Sequence, residues 1–345
     1  MRILVIGGTG FIGRDVVNSL SRMGHDLILF NREAPTFQEK KGPVRITSEL
    51  KEIEYYRPQI RDLAPEVVLV DMFHFSASDA RRVSRTVKGI SRRIVVLSGT
   101  DVYLLYGRLY GIEPGPVQPV PAAENAPLRT INFPGLGEYD KLNMEPVILA
   151  DQEMPGTVIR LPPVYGPRSL MHRLFFYLKR MDDRRPHILL SRQLSAWQWT
   201  HGYVENVAHA VALACIDERA SGRIYNVGDP NPISMAAWVE IIGKAAGWDG
   251  DIIIFPRRQV LEISPFATAF INTDQDAVVD SSRIRSELNY AEPVDFEQAV
   301  AKTIAWERSH PIPPQLMGPG FFDYDAEDRL VADFRKSEAG KENLI

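Results

Sequence analysis

Cysteine is nearly missing from this chain: its 345 residues include one, Cys215. A lone thiol excludes an internal disulfide framework and points to a reducing compartment. Its setting in the helical run VAHAVALAC reads as core packing rather than as a nucleophile. An excess of positive charge is missing as well. Lys and Arg number 40 against 44 Asp and Glu, a net charge of −4, so no global positive field draws the chain to nucleic acid or to an acidic membrane surface. Long hydrophobic runs are also missing. The leading apolar run is far too short for a secretory or spanning segment, and nothing later approaches membrane length, so a cytoplasmic, soluble protein is expected. Internal repeats and low-complexity tracts are lacking too. What is present is 45% hydrophobic residues, enough for a large core in one big domain or two closely joined lobes.

The most informative stretch is the first thirteen residues, MRILVIGGTGFIG. An apolar run, Ile3 to Ile6, leads without a charge into Gly7, Gly8, Thr9, Gly10, Phe11, Ile12 and Gly13. An amphipathic helix follows, with Val16, Val17 and Leu20 inward and Arg14, Asp15 and Asn18 outward. A strand, a tight glycine turn and a helix start in that order form a dinucleotide-binding fingerprint. The glycines permit positive φ and let the backbone approach a pyrophosphate. They also allow close helix–strand packing, while the helix N-terminus faces the phosphates. The other phosphate signature, a turn closed by a Lys-Ser/Thr pair, is absent.

The second strand, 26 to 30, ends at Asn31 and Arg32, where an acid that binds the adenosine ribose stands in folds preferring NAD. A guanidinium there binds a 2′-phosphate and a carboxylate repels one, so NADP is expected over NAD, with Glu33 as the acid of the alternative. EVVLVDMF reads as a fully buried parallel strand whose C-terminal end, Asp71 to Phe75, borders the cofactor. His74 lies there without an identifiable partner. The next helix carries Arg81, Arg82, Arg85 and Lys88, followed by Arg92 and Arg93, either a solvated face or a polyanion-binding one. Residues 93–103 and 156–167 supply further strands and their exits, and the Pro- and Gly-rich region 107–137 reads as a loop over a substrate cleft.

The expected fold is α/β: a Rossmann doubly wound parallel sheet with a smaller α/β C-terminal substrate lobe. Residues 1–165, with contributions from about 200–230, form the dinucleotide domain; 166–310 form the lobe and 311–345 a tail wrapping the surface or partly disordered.

With these segments placed, GGTGFIG, VVLSGTDVY, DKLNME, LPPVYGP, THGYVENVAHAVALA and YNVGDPNPIS together resemble the extended short-chain dehydrogenase/reductase family, in its nucleotide-sugar epimerase and dehydratase group. The resemblance implies NAD(P) held at Gly7, Gly10, Phe11, Ile12, Gly13, Asn31, Arg32, Met72, Lys141 and Pro163. It also implies a small sugar-like substrate and pairing into a homodimer.

That family uses a tyrosine base, a lysine four residues later, and a serine or threonine before the VY segment. The lysine lowers the tyrosine pKa and holds the nicotinamide ribose. Here Lys141 matches the lysine, but four residues before it stands Gly137, with Tyr139 two residues away. Counting back from Tyr103 gives Gly99, flanked by Ser98 and Thr100. The family's diphosphate arginine falls on Trp197, leaving Arg168, Arg173 and Arg192 to compensate, while Trp197 and Trp199 suit a flatter or less charged ligand.

These departures match an atypical branch with an incomplete active-site motif, to which chloroplast stem-loop RNA-binding proteins are similar. Two functions follow. One is an NAD(P)-dependent epimerase, dehydratase or reductase of a sugar-like or small carbonyl or alcohol substrate, with Lys141, Tyr139 and Thr100 or Ser98 as catalytic groups. The other is a non-catalytic NAD(P)-binding or RNA-associated regulatory protein.

Overall fold

The computed structural model describes residues 1–32, 43–71, 75–134, 141–256, 272–313 and 322–342. Five strands form early in the chain: β1 (Arg2–Ile6), β2 (Asp26–Asn31), β3 (Val44–Thr47), β4 (Val67–Val70) and β5 (Arg93–Gly99). β6 (Gly156–Leu161) and the strand Ile224–Asn226 complete a seven-stranded sheet. From one edge the order is Ile224–Asn226, β6, β5, β4, β1, β2, β3, and every pairing is parallel. The order reverses beside β1, so the crevice outside the carboxyl ends of β1 and β4 is the place where such a sheet binds a ligand.

The near-continuous apolar runs in β1, β4 and β5 follow from burial on both faces. Alternation along the strands sends Ile3, Val5, Val67, Leu69, Val95 and Leu97 to one face, packed with Val16 and Leu20 of helix α1 (Phe11–Arg22) and with Val207 and Val211 of the helix Val204–Ile216. Leu4, Ile6, Val68, Val70, Ile94 and Val96 go to the other face, against Val83 and Val87 of the helix Ala77–Val87 and Met144 and Ile148 of the helix Lys141–Leu149. Cys215 is fully buried on the first of these faces. Each large aliphatic side chain so enclosed contributes about 1.5–3 kcal/mol.

The smaller lobe is built on the helices Phe175–Asp182 and Met235–Ala246 and on a parallel pair, His187–Ser191 with Asp251–Phe255. The expected C-terminal tail contains a helix, Tyr324–Glu342. It docks Val331 and Phe334 on Phe255, and its Glu327 forms a buried ion pair with Arg180 at 2.6 Å. The Arg180 guanidinium also lies over the rings of Phe176 and Phe322, at 4.0 and 4.7 Å. An amphipathic helix is stabilised by the apolar face it packs, and this one finds its surface on the lobe.

Candidate active site

The glycine turn has the geometry its residues require. Gly7 sits at φ 92°, its N–H donating to the Phe30 carbonyl and its own carbonyl accepting from Gly10 at 3.2 Å. Gly13 has no room for a side chain: a Cβ there would lie 2.4 Å from Asp71 Oδ2, 2.8 Å from the Gly7 carbonyl oxygen and 2.8 Å from Gly8 Cα. Phe11, Ile12 and Gly13 open α1, and the first amides of a helix have no partner within it. The Gly13 N–H is taken by the Asp71 carboxyl, whose burial pushes its pKa up to about 6 against the opposing pull of Lys141. At the end of β2, Asn31 is buried and its Oδ1 has no partner among the described residues, while Arg32 is exposed. Met72, Glu33 and His74 lie outside the described residues.

Lys141 is the first residue of its helix and is 5% exposed. Its ammonium donates to the Leu97 carbonyl at 3.2 Å and interacts electrostatically with Asp101 and Asp71. Burial lowers its pKa to about 8, with both acids acting to raise it. Lys141 therefore stands between the glycine turn and the turn Thr100–Val102 that follows β5. There Thr100 Oγ1 and the Tyr106 hydroxyl are hydrogen-bonded at 3.0 Å, both buried, and burial raises the Tyr106 pKa. Tyr106 stacks on Tyr110, ring centroids 6.3 Å apart, and Phe133 meets Tyr110 edge-on at 5.4 Å. Arg173 interacts electrostatically with Tyr106 and Tyr110, and burial is the main cause that lowers its pKa. His201, fully enclosed and kept neutral by burial, accepts the Trp199 indole N–H at Nε2 and packs on Trp238 at 4.3 Å. Pro163 is half-buried in the exit from β6.

Ser98 points elsewhere. Its hydroxyl donates to Glu145 Oε1 at 2.6 Å, and Glu145 is clasped by Arg160 at 2.6 Å with both side chains almost fully buried. Arg160 also donates to the Tyr103 hydroxyl and the Glu124 carbonyl, and the Tyr103 hydroxyl donates to Asn226. This network ties β5, β6, the cleft loop and the strand Ile224–Asn226 together. Its signal in the sequence is Arg160 itself, a charge inside an apolar strand, which demands a buried partner. Tyr139 and Gly137 lie outside the described residues. Trp197 is 2% exposed, and its indole N–H donates to the Gln275 carbonyl, so it packs the lobe. Asp101 and Tyr106 were missed in the sequence because the turn Thr100–Val102 and the short helix Leu104–Leu109 carry no motif of their own, and Asp71 was expected beside the cofactor but not as a partner of Gly13.

Among the described residues no group of three His, Cys, Asp or Glu is placed to hold a metal, and no helix is long and apolar enough to cross a membrane.

A phosphate-cradling turn at the switch point of a parallel sheet, with a buried lysine bridging it to a hydroxyl pair, is the arrangement of a dinucleotide oxidoreductase. The model of the NAD dependent epimerase/dehydratase family matches residues 3–94 and 111–228. The chain belongs to this family. It is 25% identical over 330 residues to a dTDP-glucose 4,6-dehydratase of Streptomyces griseus, covering 89% of this chain and 94% of that protein. It is 24% identical to the 2′-dehydrokanamycin reductase of Streptomyces kanamyceticus, over 72% of this chain and 67% of that one. Among solved structures, the dTDP-glucose 4,6-dehydratase of Bacillus anthracis in complex with NAD superposes with a TM-score of 0.66 at 19% identity, over 90% of this chain and 97% of that one. Like other members of the epimerase/dehydratase family, the chain is an NAD(P)-binding, epimerase/dehydratase-like or reductase-like protein.

Proposed function

We propose that this protein is an NADP(H)-dependent oxidoreductase of a small sugar-like carbonyl or alcohol. The observation that carries the reading is the placement of Lys141, coupled to Asp71 at the glycine turn on one side and to Asp101 beside Thr100 and Tyr106 on the other. A cofactor's phosphates and its reactive ring belong at opposite ends of such a cleft. The fit is supported by the cradle at Gly13, which a Cβ would fill, and by the buried Oδ1 of Asn31, which has no partner among the described residues.

The amides of Phe11 and Ile12 hold the pyrophosphate, Asn31 takes the adenosine ribose, and Arg32 takes the 2′-phosphate. Lys141 and Pro163 are assigned to the nicotinamide end, as is Met72 from its place in the sequence after β4. When bound, the cofactor supplies hydride transfer. Tyr139, two residues before Lys141, moves the substrate hydroxyl proton. Thr100 holds the substrate oxygen, and the Lys141 ammonium stabilises the phenolate of Tyr139. Ser98 has no role in this reading, because Glu145 holds its hydroxyl.

The regulatory or RNA-associated alternative drew on the basic stretch, in which Arg82, Arg85, Lys88 and Arg92 are paired with acids within the fold while Arg81 is exposed. Arg82 pairs with Asp79, Arg85 with Glu54, and Lys88 with Asp151 and Glu153. Arg92 pairs with Glu66 and Glu218, and Arg93 donates to the carbonyls of Cys215 and Asp217. A polyanion would have to displace these partners.

The test is fluorescence titration with NADPH and NADH, followed by single-turnover oxidation with a panel of keto-sugars. Arg32→Ala is expected to weaken NADPH about tenfold, roughly 1.4 kcal/mol, and NADH hardly at all. Tyr139→Phe is expected to abolish turnover and leave NADPH binding intact. Equal losses for both cofactors, or full turnover without the phenol, refute the assignment.

A further inference from the structure

Among the described residues, Arg173 is a charge held in place without a counter-charge. It stands on the segment between the strand Val164–Tyr165 and the helix Phe175–Asp182, and the backbone fixes it on both sides. Its Nε donates to the Val164 carbonyl at 2.8 Å, and the next residue's N–H, that of Leu174, donates to Glu307 at 3.3 Å. The residue before it, His172, is at φ 40°, a left-handed conformation that costs a non-glycine residue about 1–3 kcal/mol and persists only where the surroundings impose it. The two terminal nitrogens of Arg173 donate to nothing among the described residues.

The groups facing that guanidinium are the phenols of Tyr106 and Tyr110 and the neutral ring of His201, none of which is an anion at neutral pH. Leaving a buried charge unpaired is costly, and structural arginines of this chain avoid it: Arg160 holds Glu145 and Arg180 holds Glu327. Arg173 lacks such a partner among the described residues and interacts with Tyr106, whose hydroxyl bonds Thr100.

The other two arginines that the sequence offers for a diphosphate are placed differently. Arg168 pairs with Asp15 at 2.6 Å, and Arg192 is exposed at the start of the short helix Arg192–Ala196. The position of the family's arginine holds Trp197, committed to the Gln275 carbonyl. Of these three arginines, then, Arg173 is the one that interacts with the stacked rings of Tyr106 and Tyr110.

We infer that Arg173 is the anchor for a substrate carrying one anionic head group, a carboxylate or a phosphate monoester, on a sugar-sized body that lies against Tyr106 and Tyr110. A planar guanidinium matches either oxyanion with two parallel N–H···O bonds. One fork meets one oxyanion and leaves the second phosphate of a nucleotide diphosphate unmatched. This rests on the reading of the cleft as the substrate site of an oxidoreductase.

The test is calorimetric titration of the full chain, with and without saturating NADPH, using four probes: glucuronate, glucose 6-phosphate, UDP-glucose and glucose. Glucuronate or glucose 6-phosphate is expected to bind at least tenfold more tightly than glucose, and which of the two is tighter identifies the head group. Arg173→Gln is expected to abolish that preference, and Arg173→Lys to restore part of it. Arg173→Gln should also melt no lower than the unaltered protein, whereas a structural arginine would lose stability on replacement. UDP-glucose binding most tightly and indifferently to Arg173→Gln overturns the inference, as does glucose binding as well as its anionic relatives, or none of the four binding. NADPH titration of the same samples reads the oxidoreductase assignment separately. Absence of NADPH binding with retained Arg173-dependent anion binding sinks that assignment and leaves the anion site standing.

Discussion

Asp71 closes over Gly13: its carboxyl accepts the Gly13 N–H, and a Cβ on that glycine would meet Oδ2 at 2.4 Å. A carboxylate thus occupies one of the amides at the mouth of the phosphate cradle. Because burial raises its pKa to about 6, Asp71 binds a proton readily, and a pyrophosphate arriving beside it favours the protonated form further. Binding therefore takes up a proton, and NADPH affinity is expected to fall as pH rises through 6 and above. Asp71→Asn should bind NADPH about tenfold more tightly at pH 8 and lose most of the pH dependence; fluorescence titration across pH 5 to 8 reads both.

Gly13→Ala places a methyl group against Asp71, the Gly7 carbonyl and Gly8 Cα at once. Two of those neighbours are backbone, so the turn itself must shift. A cost of about 1–3 kcal/mol in stability is expected, with NADPH binding lost, measured by urea unfolding and titration.

Thr100 and Ser98 separate function from scaffold. Thr100→Ala removes the hydroxyl bonded to Tyr106 and is expected to lower kcat about 10²-fold, with about 1–3 kcal/mol lost in stability because the buried Tyr106 hydroxyl is left unpaired. Ser98→Ala removes a bond to Glu145, with a cost of about 1 kcal/mol in stability and no effect on kcat. Arg160→Met strands the buried Glu145 charge and should cost about 3–5 kcal/mol, partly recovered in the double variant with Glu145→Gln.

Glu307 is buried, with its pKa raised from 4.5 to about 7, and its Oε2 has no partner among the described residues. A carboxyl whose pKa is higher in the folded than in the unfolded state keeps its proton on folding. Its stabilising effect is present below the unfolded value and is lost as pH rises toward the folded one. Stability is therefore expected to decline between about pH 4.5 and 7, and Asp229, raised to about 7 by burial, acts in the same sense. Glu307→Gln should melt higher at pH 8 by roughly 1–3 kcal/mol equivalent and be unchanged near pH 4, by calorimetry.

Lys141, lowered to about 8, loses its charge just above neutrality. Turnover is expected to fall above pH 8 as the ammonium deprotonates. Lys141→Met should be nearly inactive at every pH, and a pH–rate profile shows the difference.

The strands and the glycine turn were legible because they rest on local chemistry: apolar runs long enough for a strand, and glycines where no Cβ fits. Lys141 stood out through the family resemblance of DKLNME, and the structure buries it at the start of its helix. Asp71 was visible as a strand end but not as a partner of Gly13, because that contact joins residues 58 positions apart, 71 less 13, and only the folded β1–β4 pairing creates it. Ser98 and Thr100 are two residues apart, and the short helical turn Thr100–Val102 sends one hydroxyl to the core network and the other to Tyr106. Period-two alternation says nothing about such a turn. The C-terminal helix escaped notice because its apolar positions are few, and its docking face is supplied by Phe255 and Arg180 of the lobe.

The Arg160 network also bears on how this protein can be taken apart. The strand Ile224–Asn226 joins the sheet beside β6 only after the chain has passed through the helix Phe175–Asp182 and back, and Asn226 then bonds Tyr103 and Glu124. A fragment ending near residue 165 would keep Arg160, Tyr103 and Glu124 and leave two of them without their closing partner. The two lobes are thus stitched by a returning thread, and neither is a cassette that can be exchanged between proteins at that seam.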